Sequence, residues 1–77
     1  DEMSLYKFKL AGLISGKDSS YISLVNTSGE VISVTLGQYF GKIKLVDLRL
    51  NEAIFEKEDK KFIIIDFNNI IRETDEY

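Results

Sequence analysis

Thirteen carboxylates and ten lysines or arginines are the side chains best suited to chemistry in this 77-residue sequence, which has no Cys and no His. Disulfides, thiolate or imidazole metal sites, Cys nucleophiles and a Ser-His-Asp triad therefore lie outside its repertoire. Paired carboxylates would still permit glycoside hydrolysis if two of them flanked one bond. Most Asp and Glu, however, fall in turn-like stretches or near the C-terminus. Asp47 and Asp66 sit in strand-like runs, where alternation with apolar neighbours predicts structural residues facing water. Residues 56–59 lack the alternating oxygen ligands of a calcium loop, because Lys57 interrupts them. Gly12 and Gly16 match neither phosphate-binding glycine spacing, and no helix follows them. No catalytic, cofactor-binding or metal-ligating residue is assigned.

Charge bears on nucleic acid in the same way. A net charge of −3 is the wrong sign for a domain that binds by neutralising phosphates. The alternative stays open, because Tyr6, Phe8, Tyr21 and Tyr39 offer stacking rings and Lys7, Lys9, Lys17, Lys42 and Lys44 a basic stripe, as in a small OB- or Sm-like barrel. Exposed lysines on a first strand also have a plainer use, the discouragement of edge-to-edge aggregation.

The elements that position these residues read as strands. In residues 5–14, Tyr6, Phe8, Leu10, Gly12 and Ile14 alternate with Lys7 and Lys9, and period two over that length predicts a half-buried strand. Polar residues 16–20 predict a turn, residues 21–25 a second strand, and Ser28-Gly29 the turn of a hairpin returning through 31–36. Gly37 and Gly41 bracket a compact corner. Residues 42–50 predict a strand with Val46, Leu48 and Leu50 on one face and Asp47 and Arg49 on the other. A strand at 53–56, a charged turn at 57–61 and a final apolar strand at 62–67 follow, with Ile63, Ile64 and Ile65 suggesting burial on both sides or at a sheet interface. Residues 68–77 read as a polar tail that frays. The expectation is one all-β domain over residues 1–67, a small sandwich of two antiparallel sheets with six to seven short strands.

No apolar run approaches the roughly 18 residues that cross a bilayer, so the chain as it stands is expected to be soluble, with any anchor outside it. It opens at Asp1 without a charged and apolar leader and reads as a mature or excised fragment. Absence of Cys suits a reducing cytosol and a disulfide-free envelope protein equally.

The order of features carries more information than any one of them. Leu10-Ala11-Gly12-Leu13-Ile14 ends the first strand, Ser28-Gly29-Glu30-Val31 turns a hairpin, and Val34-Thr35-Leu36-Gly37-Gln38-Tyr39-Phe40-Gly41 makes the corner before Val46-Asp47-Leu48 and the last apolar strand. From about Leu5 to Phe67 this resembles the periplasmic domain of the PilP family of type IV pilus assembly proteins, related to the homology region of GspC in type II secretion. The resemblance implies a non-catalytic β-sandwich in the periplasm, anchored to the inner membrane in the full-length protein. It also implies contact with the N-terminal periplasmic region of an outer-membrane secretin and with inner-membrane platform proteins, and no cofactor. Exposed strand edges would supply that contact by β-augmentation. Lys7, Lys9 and Leu13 of the first strand, with Arg49 as a polar anchor, are the expected partner-binding residues. Gly12, Gly37, Tyr39 and Gly41 are expected to serve the fold.

Overall fold

Strands with apolar side chains at alternate positions need a second layer to cover them, and two sheets supply that cover for each other here. The computed structural model describes residues 4–77. After a 3-10 turn at Leu5–Lys7, strands β1 (Phe8–Ser15), β2 (Ser20–Asn26) and β3 (Val31–Thr35) form one antiparallel sheet in that order. The second sheet runs β4 (Tyr39–Phe40), β5 (Ile43–Arg49), β6 (Glu52–Glu56), β7 (Phe62–Asp66) and β8 (Ile71–Thr74), also antiparallel and in chain order. The architecture is the all-β, two-sheet one expected from the sequence. Phe8, Leu10, Ile22, Leu24 and Val34 from the first sheet meet Phe40, Leu45, Phe55, Ile63 and Ile65 from the second in one core. Phe40 stands edge-on to Phe8 at 5.1 Å between ring centroids, so the two-residue β4 contributes a central core aromatic.

Two bulges reset the side-chain alternation. In β1 the register shifts between Leu10 and Gly12, so Phe8 and Leu10 point inward before it and Leu13 packs against the core after it. Ile14, expected on the inner face, is half exposed as a result. An extra residue in one strand moves every later side chain to the opposite face. In β5 the same event between Leu45 and Asp47 puts Leu45 and Leu48 inward and leaves Leu50 88% exposed. The Asp47 carboxylate accepts the Leu48 N–H at 2.8 Å and holds the backbone just past that bulge.

Three hairpins share one turn geometry. In each, the first loop position accepts a main-chain bond from three residues on, and the fourth residue has positive φ: Gly29 at 87°, Lys60 at 72° and Asn69 at 66°. This is a type I turn followed by a left-handed residue, one of the common short hairpin connections. Asn26 and Asp66 secure two of them, each accepting two loop N–H groups at 2.9 to 3.0 Å through Oδ1. Between the sheets, Gly37 with φ of 92° turns the chain, and Gly37 N–H donates to Leu45 O while Leu45 N–H donates to Gln38 O. The expected corner is thus a crossover that also seeds β4.

The expected frayed tail is corrected by β8, which pairs with β7 from Ile65↔Ile71 to Phe62↔Thr74. The chain then returns over the outer face of the second sheet, where the Tyr77 ring meets Phe62 edge-on at 4.8 Å and the Arg49 guanidinium at 5.1 Å. Register places Ile54 and Ile64 between those two contacts, and both are fully buried although they face away from the main core. The run Ile63-Ile64-Ile65 is therefore buried on both sides, as its composition suggested.

Candidate functional site

The four expected partner-binding residues do not form one surface. Lys7 and Lys9 are exposed where the chain enters β1, and with Tyr6, Phe8, Val25, Asn26 and Thr27 they line a cleft of about 440 Å³. Leu13 stays on the edge strand, but the bulge turns its half-buried side chain toward the core. Arg49 belongs to the other sheet, where it lies 4.0 Å from Glu52 and against Tyr77. What remains of the set is the Lys7–Lys9 stretch, where the 3-10 turn runs into β1, an edge strand of the first sheet.

A second group was invisible in the sequence because its members are far apart along it. Glu73 of β8 accepts the Tyr6 hydroxyl at 2.7 Å and the Lys57 ammonium at 2.8 Å. These bonds tie the segment before β1 and the β6–β7 turn to the edge of the second sheet. Hydrogen bonds from Lys57 and then Tyr6 hold the Glu73 carboxyl below its usual range, and the same bonds to Glu73 push the Tyr6 phenol and the Lys57 ammonium up. The group borders an open cleft of about 390 Å³ floored by Leu5, Phe40, Ile43 and Ile63. With every member paired, it acts as a staple.

Basic residues also gather beside Tyr39, which is 65% exposed. The Lys44 ammonium lies 6.0 Å from its ring centroid, and Lys42, Lys57 and Lys60 border the same shallow cleft, together with Glu56 and Glu58. Lys17 lines a separate cleft at the β1–β2 turn, so the five lysines of the supposed stripe are divided among three places. Asp47 and Asp66 hold backbone at a bulge and a turn, as structural residues. Among the described residues no cluster of carboxylates could hold a metal ion, and no helix is long and apolar enough to cross a membrane. Comparison with protein-family models, curated proteins and solved structures finds no match to this chain.

Proposed function

We propose that this domain is a non-catalytic periplasmic scaffold that couples the inner-membrane platform of a type IV pilus or type II secretion machine to its outer-membrane secretin. The observation that carries the reading is edge strand β1 with exposed Lys9 and, in the 3-10 turn that enters it, exposed Lys7, both beside a cleft, in a two-sheet fold of the class the PilP and GspC resemblance implies. An extended partner segment adds to such an edge through main-chain hydrogen bonds, and alternate side chains supply specificity. The two lysines favour an acidic segment and make the association rate depend on salt. Titration with the N-terminal periplasmic fragment of a secretin from the same source tests this. Lys7→Glu with Lys9→Glu should weaken binding about tenfold or more while the fold is retained. Unchanged affinity in the double variant would remove β1 from the interface.

A second reading, a binder of single-stranded nucleic acid, is favoured by the Tyr39 cluster, where an exposed ring lies among Lys42, Lys44 and Lys60. Gel shifts of a single-stranded oligonucleotide that weaken as salt rises, and are lost in Tyr39→Ala, would support it against the scaffold.

A further inference from the structure

Four strands end the two sheets, and natural proteins protect such edges with charge, bulges or extreme shortness. Three edges here are protected. β1 carries Lys9 and a bulge, β4 has two residues, and β8 carries Arg72 and Glu73. β3 has none of these devices. Its sequence, Val31-Ile32-Ser33-Val34-Thr35, is uncharged, regular and mostly β-branched.

The register identifies which of its main-chain groups are free. Bonds from Asn26 N–H to Glu30 O and from Leu36 N–H to Ser20 O mark those pairs as hydrogen-bonded, so Leu24↔Ile32 and Ile22↔Val34 are bonded by alternation. Val31, Ser33 and Thr35 therefore direct their N–H and C=O groups away from β2. Thr35 is already occupied by Gln38, whose side chain accepts its N–H at 2.8 Å and whose N–H donates to its carbonyl at 2.8 Å. Val31 and Ser33 have no such partner, and the Val31 side chain is 64% exposed.

We propose that β3 pairs with β3 of a second copy of this chain, antiparallel about a two-fold axis at Ser33, joining the two three-stranded sheets into one. In that register Ser33 exchanges both main-chain bonds with its own copy, and Val31 N–H reaches the second lone pair of the Thr35 carbonyl in the other chain. Val31 lies beside Thr35 on the outer face, and Ile32 beside Val34 on the inner face, giving β-branched cross-strand neighbours. Charge selects this edge for self-pairing. The nearest charged side chain, Glu30, falls at the far ends of the paired segment, away from its own copy. A two-fold through the middle of β8 would instead set Arg72 or Glu73 beside its like, and the middle of β1 is interrupted by its bulge. The pairing uses the edge opposite β1, so it stands independently of the scaffold reading.

Sedimentation equilibrium of the 77-residue chain, with amide hydrogen exchange followed by NMR at the same concentrations, tests the proposal. Between about 20 µM and 1 mM the mass should rise from 8.8 kDa toward twice that value, in the range expected for a small interface. Exchange at Val31 and Ser33 should slow several-fold with concentration, roughly as those amides become bonded. Val31→Lys should abolish both effects without loss of the fold, since it changes only an exposed side chain. Ser33→Pro should do the same by removing the central donor; if it fails to fold, Val31→Lys decides. A monomer at the highest concentration, a dimer in which the Val31 and Ser33 amides exchange unchanged, or a dimer that survives Val31→Lys would each overturn the pairing.

Discussion

At the scale of single residues, the backbone conformation of a few turn positions matters more than contacts. A side chain built on Gly37 meets nothing within 4 Å, yet its φ of 92° is one that β-branched residues avoid. Gly37→Val should therefore cost about 2 kcal/mol in urea unfolding, through backbone strain alone. Lys9→Glu, on an exposed position, should leave stability within about 0.5 kcal/mol of the parent. Lys60 occupies the left-handed position that Gly29 fills in another hairpin. Lys60→Gly should raise stability by about 0.5 kcal/mol, the relief of strain exceeding the entropy gained by the unfolded chain. Glu73 supplies the pH dependence. Its depressed pKa contributes stability that is fully present above the unfolded carboxylate value near about 4.3 and is lost as pH falls through the folded value. The raised Lys57 and Tyr6 values contribute stability below about pH 10 that is lost as pH rises through their folded values. Glu73→Gln should thus be less stable than the parent at neutral pH, and pH-dependent thermal melts of the two should converge in acid. A constant gap down to pH 2 would contradict the staple.

At the scale of elements, the strands were legible where alternation is undisturbed and misread where one extra residue intervenes. In Leu10-Ala11-Gly12-Leu13 the strand-interior Gly12 is the one hint of a bulge, since period two reads equally well on either side of it; Leu13 and Ile14 consequently exchange their expected roles. Gly12, expected to serve the fold, is not required there by space, since a Cβ would meet the Ser23 side chain at 3.6 Å, an ordinary contact. The last strand was missed for a different reason. Its turn places Asn69, with no glycine, at the left-handed position, and polar β8 residues on an edge leave little apolar signal. Ile70 and Ile71 were the available hint. The Tyr6–Glu73–Lys57 group depends on contacts across the whole chain, which no local spacing encodes. Because β8 covers the edge of β7 and Tyr77 packs on Phe62 and Arg49 across the outer face that holds Ile54 and Ile64, removal of residues 68–77 should do more than trim a tail. The truncated chain should lose cooperative unfolding or fall by at least about 3 kcal/mol, since a paired strand and a buried apolar face go with it. A melting curve unchanged by the truncation would contradict the role given to β8.

At the scale of the molecule, the two-sheet architecture followed from the count of short alternating segments and the turns between them. Charge is unevenly spread over it. The first sheet has a lysine-bearing edge at β1 and an uncharged edge at β3, whereas lysines and carboxylates interleave around the turns of the second. The two edges of the first sheet are therefore unlike, one charged and bulged and the other bare. The most direct test of the proposed scaffold role is residue-level NMR of the labelled domain titrated with the N-terminal periplasmic fragment of a secretin from the same source. Saturable shift changes confined to the entry of β1 and the cleft beside it, centred on Lys7 and Lys9 and extending to Val25 and Thr27, are the predicted result. Changes centred on the Tyr39 cluster, or none at high micromolar fragment, would contradict it.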